Sequence, residues 1–517
     1  MSNRSERSEE TLRQQSSVIR ISPDDNVAVA LTTIEPGAEI LNVIARETIP
    51  VGHKIALSEI SKGAAVVKYG YPIGKASAAI PIGAWVHSHN VVSDLDSLDT
   101  LAYEPYADST AAKPMSGLVD CLEGLPEHFN GYRRTDGRAA VRNELWMLPT
   151  VACVNTLAST LAEWGRASLP GFADAAFAFT HPYGCSQLGE DLLNTQRLLA
   201  ALVKHPNVGG VLVVGLGCEN NYIDSFKQAL QILGGWDEQR VRFLNAQDVE
   251  DDLETGKALL CELAEIAGAD KREPIPVSEL VIGLKCGGSD GFSGLTANPL
   301  LGRFSDMLGV FGGSTLLSEV PEMFGAERML LSRCQNEDVF DRALSMIAGF
   351  YEYFTSHNQP VDKNPSPGNI DGGLTTNADK SLGCTQKAGK GIIRDVLNMY
   401  QPVRQKGLSL VCGPGNDPCA VTALTAAGAH IILFTTGRGT PLGSPAPVIK
   451  VATNSDLARR KPHWIDYDAG RIIGDAAMDL CARELYRLVV EIASGKRTRS
   501  ETAGDRAIAI FKDGVTV

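Results

Sequence analysis

Three cysteines of this 517-residue chain stand at glycine-rich corners. Cys185 closes His181-Pro182-Tyr183-Gly184-Cys185, Cys218 lies in Gly215-Leu216-Gly217-Cys218-Glu219-Asn220, and Cys286 opens Cys286-Gly287-Gly288-Ser289-Asp290. A single cysteine is ordinarily small buried packing. Three thiols on glycine corners, each with polar or charged neighbours, suggest instead a soft-metal site with one open position. Trp85-Val86-His87-Ser88-His89-Asn90 offers a second chemistry. Residues two apart on a strand share a face, so His87 and His89 can grip a first-row metal ion or act as an acid–base pair. Two surface histidines placed by chance is the plain alternative.

Polar side chains for a substrate gather nearby in sequence. The run from Cys286 to Pro299 sets Ser289, Asp290, Ser293, Thr296 and Asn298 among four glycines. Glycine lets backbone amides converge on an anion, and hydroxyls add donors. The Walker spacing and its lysine are absent, so this is no standard phosphate loop. Phe434-Thr435-Thr436-Gly437-Arg438-Gly439 presents Thr436 and an arginine between glycines, suited to forking a carboxylate. Arg133, Arg134, Arg138 and Arg142 are further carboxylate candidates, each alone more readily a surface ion pair. Asn369 sits in the proline-bounded stretch Asn364–Asn369. Glu319 and Glu322 follow an apolar run, and either suits a metal ligand or general base, although a helix-start carboxylate is plainer.

These residues need elements to hold them. Apolar runs at Val211–Val214 and Leu280–Ile282 read as buried parallel strands, which sets Cys218 and Cys286 just past carboxyl ends, where open α/β sheets bind ligands. Strands are expected at 211–215, 241–244, 280–284, 314–317, 408–411 and 430–434. Helices are expected at 188–205, 224–233, 253–267, 337–354 and 387–399, and a loop at 364–373. Between residues 18 and 92, short apolar runs alternate with Pro-Gly turn signals, which describes a small β-rich domain. The fold class is therefore α/β and multidomain: a disordered extension over 1–17, a β domain over 18–92, a linker or arm over 93–127, and two α/β units with mostly parallel sheets over 128–275 and 276–517.

Composition narrows the partners. A net charge of −13 argues against nucleic acid or an anionic membrane surface. No apolar run approaches a bilayer span, and the polar N-terminus lacks the apolar centre of a secretory signal. Eleven cysteines without a framework pattern fit a reducing cytoplasm, where clustered thiols mean metal or catalysis rather than disulfides. A dinucleotide enzyme is rejected, because no G-x-G-x-x-G stands between a strand and a helix with a downstream acid.

From about residue 20 onward the chain resembles the altronate dehydratase and galactarate dehydratase family of sugar-acid hydro-lyases. The matching motifs are Gly131-Tyr132-Arg133 with Arg142-Asn143-Glu144, the 181–185 corner, 215–219, 286–299, Ser318-Glu319-Val320, 364–369 with Gly372-Gly373, and 435–441. The first domain resembles the β-clip module called SAF. His87-Ser88-His89-Asn90, Leu382-Gly383-Cys384-Thr385-Gln386-Lys387 and Gly415-Asn416-Asp417 are closer to the altronate branch. The resemblance implies dehydration of D-altronate to 2-dehydro-3-deoxy-D-gluconate, with galactarate or another sugar acid as the alternative substrate and a non-catalytic sugar-acid-binding protein as the alternative class. It implies iron, with Mn²⁺ as a substitute, and we expect a homo-oligomer, a dimer. Two arrangements stay open: Cys185, Cys218 and Cys286 around an oxygen-labile [4Fe–4S] cluster, or a single Fe²⁺ on His87 and His89. His181 is the first choice of general base, with His87, His89 or Glu319 behind it. Ser289, Asp290, Ser293, Thr296, Asn298, Arg142, Asn369, Thr436 and Arg438 are expected around the substrate.

Overall fold

A computed structural model describes residues 17–95, 97–105, 118–169, 171, 173–474 and 476–517. The expected N-terminal extension and much of the expected arm lie outside them. The first part is built from very short strands because turns interrupt it constantly. Gly37, Gly52, Gly63 and Gly83 all take φ between +80° and +85°, a region that only glycine enters freely. Val18–Ile19, Val27–Ala30, Lys54–Ala56 and Trp85–Val86 form one antiparallel sheet; Ala65–Lys68, Tyr71–Ala76 and Val91–Val92 form another. Its core is shared: Val27, Val66, Ile73 and Val86 pack with Ala326 and Leu382 from far along the chain.

The second unit is a four-stranded parallel sheet. Its strands β1 (Glu144–Pro149), β2 (Ala176–Ala178), β3 (Val208–Gly215) and β4 (Val241–Asn245) run in the order β2-β1-β3-β4. Alternation along β1 sorts the helices. Leu145 and Met147 face α1 (Asn155–Ser168) and α4 (Asp252–Ala269), while Trp146 and Leu148 face α2 (Gly189–Val203) and α3 (Ile223–Ile232).

The third unit has seven strands, all parallel: β5 (Val281–Cys286), β6 (Ser314–Leu317), β7 (Ile393–Leu397), β8 (Leu408–Val411), β9 (Ile431–Thr436), β10 (Val448–Ala452) and β11 (Tyr467–Asp468). Their order is β7-β8-β6-β5-β9-β10-β11. The helices that matter below are α5 (Ala297–Val310), α6 (Glu337–Ser356), α7 (Asn377–Cys384) and α8 (Asp417–Ala426).

Two local expectations are corrected. The stretch 387–399 is not a helix. Gly389 takes φ 64° and ends a short 3₁₀ turn, after which Ile393, Val396 and Leu397 are buried as the edge strand β7. The stretch 364–373 is not wholly loop, because Pro367–Asp371 is a helix with proline in its first turn and a Ser366–Asn369 capping box.

The two parallel sheets are clasped by a reciprocal pair of histidines. His205 Nε2 donates to the Ala429 carbonyl at 3.2 Å, and His430 Nε2 donates to the Ala139 carbonyl at 2.9 Å. Their Nδ1 atoms accept from the amides of Asn207 and Val281. Each imidazole is thereby held as the neutral Nε2–H form, and burial pushes His205 down to about 3 and His430 to about 4.

Candidate active site at the carboxyl edge of the seven-stranded sheet

The chain leaves β5 for β6 on one side and later returns as β9 on the other. The crevice beyond these strands is thus a topological switch point, where α/β sheets bind ligands. Glycines close it. Gly287 donates to the Thr435 carbonyl, and the amides of Gly437 and Arg438 both donate to the Gly288 carbonyl, each at 3.0 Å. A Cβ on Gly287 would lie 2.5 Å from the Asp417 carboxylate, so only glycine lets the loop pass.

Cys286, the last residue of β5, faces inward. Its Sγ is 3.1 Å from Cys384 Sγ and 3.1 Å from Glu322 Oε2, and Ser289 Oγ lies 3.6 Å from it. The donor atoms of Cys286, Glu322 and Cys384 fall within 4.8 Å of one another, and all three residues are buried. Three buried lysines surround them. Lys285 and Lys387 both pair with Glu319, Lys285 also reaches Asp417 at 2.8 Å, and Lys380 reaches Glu322 at 2.7 Å. Burial alone would favour neutral lysines. Glu319 and Asp417 keep Lys285 charged, and Glu322 does so for Lys380. Burial likewise favours neutral carboxyls and so pushes Glu319 and Glu322 up. The surrounding lysines, Lys380 first, nevertheless hold Glu322 far below the carboxylate range, while burial and the charge of Glu322 raise Glu319. The hydrogen bond with Cys286, together with burial, holds the Cys384 thiol well up. Glu319 takes φ 72° and ψ 57°, the left-handed region that costs a non-glycine residue energy. That backbone lets its carboxylate take both ammonium groups and the Cys286 amide at 3.1 Å.

Helix α7 ties this centre to the β-rich module. Thr376 caps it, every one of its eight residues is buried, and Asn298 Nδ2 donates to its Gly383 carbonyl. Asp379 accepts from Lys54 at 2.8 Å and Lys68 at 2.9 Å, both from the module. The next residue, Lys380, holds Glu322, and the helix ends on Cys384. Above its start lie the module's rings. His53 accepts from Trp85 Nε1 through Nδ1 and turns Nε2 to the Asp371 carbonyl, so both its nitrogens are engaged. His87 stacks on Trp85 and uses Nδ1 toward Thr375 Oγ1 at 3.3 Å. Burial, with Lys54 and His53, pulls His87 down to about 4, so it is a neutral imidazole whose Nε2 is its remaining site. His89 is exposed, with its ring tilted against Trp85.

The structure sorts the sequence expectations into three groups. Cys286, Ser289, Glu319, His87, Thr436 and Arg438 lie around the crevice or the module above it; Arg438 is exposed at its mouth. Asp290, Ser293, Thr296, Asn298 and Asn369 are buried, but they build the loop rather than face a ligand. Asp290 binds Ser293, Thr453 and Asn454; Thr296 binds the Thr453 carbonyl; Asn298 binds Thr435 and Gly383; and Asn369 binds Ser289, Ser366 and Lys380. Arg142, His181, Cys185 and Cys218 are elsewhere. Arg142 forks Glu501 and donates to the Val141, Ile492 and Lys496 carbonyls, so its donors are satisfied within the protein. His181 uses Nε2 on the Pro149 carbonyl and Nδ1 on the Tyr183 amide, which leaves no nitrogen for a substrate proton. Cys185 and Cys218 belong to the four-stranded sheet, are exposed, and share no partner with buried Cys286. The trio expected from spacing is therefore divided. Its missing members at Cys286 are Cys384 and Glu322, with Lys285, Lys380, Lys387 and Asp417 around them. A lysine at the end of an apolar strand, as at Lys285, was the available signal.

Comparison with known proteins follows the same division of the chain. Residues 16–94 match the altronate/galactarate dehydratase SAF domain, 131–268 the second domain of D-galactarate dehydratase/altronate hydrolase, and 277–516 the C-terminal domain of D-galactarate/altronate dehydratase. An altronate dehydratase of Escherichia coli (strain K12) is 47% identical over 508 residues, covering 96% of this chain and 99% of that protein. An altronate dehydratase of Bacillus subtilis (strain 168) is 48% identical, covering 97% and 100%. A galactarate dehydratase (L-threo-forming) of Escherichia coli (strain K12) is 34% identical, covering 93% of each. The chain belongs to the altronate/galactarate dehydratase family.

Proposed function

We propose that this family member is a hydro-lyase that converts D-altronate to 2-dehydro-3-deoxy-D-gluconate and water. The observation that carries the reading is the buried Cys286–Glu322–Cys384 set at the switch point, ringed by three lysines and joined through helix α7 to the neutral His87 at that helix's start. The greater likeness to altronate than to galactarate dehydratases favours the monocarboxylic substrate.

Dehydration at C2–C3 removes a weakly acidic C2 proton and expels a poor leaving group. The site must therefore stabilise negative charge and manage two protons. His87 Nε2 suits the proton acceptor: its imidazole is neutral, and its other nitrogen is fixed by Thr375. Arg438, exposed at the crevice mouth, suits the substrate carboxylate. Ser289 and Thr436 lie along the same loop edges for hydroxyl contacts. Glu319, clamped by Lys285 and Lys387, fixes where positive charge sits beneath the substrate. The proton from C2 passes to the His87 imidazole, the imidazolium so formed protonates the C3 hydroxyl as its C–O bond breaks and it leaves as water, and the resulting enol becomes the 2-keto acid by taking a proton at C3 from solvent and losing its enol proton.

Two thiols and a carboxylate within reach of one centre fit a divalent first-row ion such as Fe²⁺, with Mn²⁺ a harder substitute. Cys286, Cys384 and Glu322 would hold it, and bound there it would supply Lewis acidity to the substrate's oxygens. Eleven free thiols suit a reducing cytoplasm. The homodimer belongs to the same proposal and is read by light scattering.

The test is an anaerobic assay of 2-keto acid release from D-altronate and galactarate, with and without Fe²⁺. Iron-dependent turnover that favours altronate is expected. Faster turnover of galactarate would reassign the substrate, and no turnover of either acid would remove the enzyme reading.

A further inference from the structure

The two cysteines left outside the active site have a third beside them. Cys153 follows β1, Cys185 follows β2 and Cys218 follows β3, and in the sheet β1 lies between the other two. All three thiols are exposed. This edge is also a switch point, since the chain goes from β1 to β2 on one side and returns to β3 on the other.

The three loops are laced together. The Ala152 amide donates to the Tyr183 carbonyl at 2.9 Å, the Asn221 amide to the Gly184 carbonyl at 2.9 Å, and the Ser186 amide to Asn220 Oδ1 at 2.8 Å. Asn221 Nδ2 donates to the Thr150 carbonyl at 3.0 Å, and Thr150 Oγ1 donates to Glu219 Oε1 at 2.6 Å. Glu219 also accepts the amides of Leu216 and Gly217, which fixes the turn bearing Cys218. His181 does the same for the corner bearing Cys185, through Pro149 and Tyr183. Gly184 takes φ 102° against the Thr150 carbonyl and Gly217 takes φ 130°, so both corners are built tightly.

We propose that Cys153, Cys185 and Cys218 form a three-thiolate site for a [4Fe–4S] cluster with one iron not ligated by the protein, separate from the Cys286–Cys384–Glu322 centre. Thiolates are the protein's ligands to such clusters. A single small ion draws its donors close, as around Cys286, whereas a cluster holds them farther apart. The three sulfur atoms do not all lie within 4.8 Å of one another, as a single small ion would require. Cys185 meets the Ser186 hydroxyl and Cys218 the Gln247 amide, neither of which is a zinc ligand.

The experiment is anaerobic reconstitution of the full chain with ferric iron, sulfide and a thiol reductant, followed by iron and acid-labile sulfide analysis and electron paramagnetic resonance after reduction. The expected result is about four irons and four sulfides per chain. Sulfide should be lost in each of Cys153→Ser, Cys185→Ser and Cys218→Ser and retained in Cys286→Ser. Because the three thiols are exposed, these serines bury no new polar group, and circular dichroism checks the fold. Sulfide-free wild-type protein, sulfide retained in any of the three variants, or sulfide lost only in Cys286→Ser overturns the assignment. Sulfide content does not depend on which sugar acid is the substrate, so it fails or stands apart from the proposed reaction.

Discussion

Glu322 and His87 show how much of this chemistry rests on single groups. Glu322 Oε2 touches Cys286 Sγ, and Lys380 holds the other oxygen. Glu322→Gln keeps the shape, removes a ligand charge and leaves Lys380 with the neutral oxygens of Asn364 and Asn369 but no counter-charge there. Bound iron and kcat should both fall, by roughly 100-fold for an altered ligand sphere. Elemental analysis beside an initial-rate assay reads this, and full iron content with normal kcat would exclude Glu322 from the centre. His87 has a pH signature. Its conjugate acid forms only near pH 4 rather than near 6.5, so a base at this nitrogen stays active well below neutrality. The acid limb of kcat/KM should lie near 4, with His87→Gln lowering kcat by about 100-fold or more. An acid limb near 6.5 in protein that remains folded would exclude it. At this scale the sequence was half legible. The glycine corner announced Cys286, but Cys384 is 98 residues away, and no local pattern encodes such a pairing. The substrate-facing look of Asp290, Thr296 and Asn298 misled for a physical reason: a tight loop with four glycines needs internal hydrogen bonds, and those side chains provide them.

Helix α7 carries the largest local charge problem. Lys54, Lys68 and Asp379 are all buried, and one carboxylate serves two ammonium groups. Burial is the main influence pulling Lys54 down to about 8, while the two lysines keep Asp379 far below the carboxylate range. Breaking such a pair strands a charge in the interior and costs about 3–5 kcal/mol. Asp379→Asn should therefore loosen the β-rich module from the third unit. Faster proteolysis at the module's end of the chain and a lower denaturation midpoint are expected, and a triple variant that also changes Lys54 and Lys68 to Met should recover much of the loss. An unchanged midpoint in the single variant would show that the module docks by its apolar core alone. Most elements were legible, because long periodic stretches such as α6 and buried runs such as β6 state their own periods. β7 was not. Ile393, Val396 and Leu397 are as compatible with one helical face as with a bulged edge strand, and only pairing with β8 decides between them.

Across the whole molecule, the clasp between the two parallel sheets sets an acid limit. His205 and His430 each use both ring nitrogens inside the interface, so protonation destroys an accepting interaction on each side. In the unfolded chain both would bind a proton near pH 6.5; folded, they resist it down to about 3 and about 4. The unfolded state therefore holds two more protons between roughly pH 6 and pH 4, and stability falls as pH falls through that window. The pair contributes about 2.7 kcal/mol per pH unit, since each proton contributes 1.36. His430→Asn removes one titrating ring, so the slope of apparent stability against pH should drop by about 1.4 kcal/mol per unit, even though stability at pH 7 is lower for want of the Ala139 contact. A slope unchanged in the variant would locate the acid sensitivity outside the clasp. Such a loss would separate the exposed thiols of the first sheet from the buried thiols of the second. Iron and sulfide content followed through the same pH window therefore tests whether the two centres fail together or one at a time.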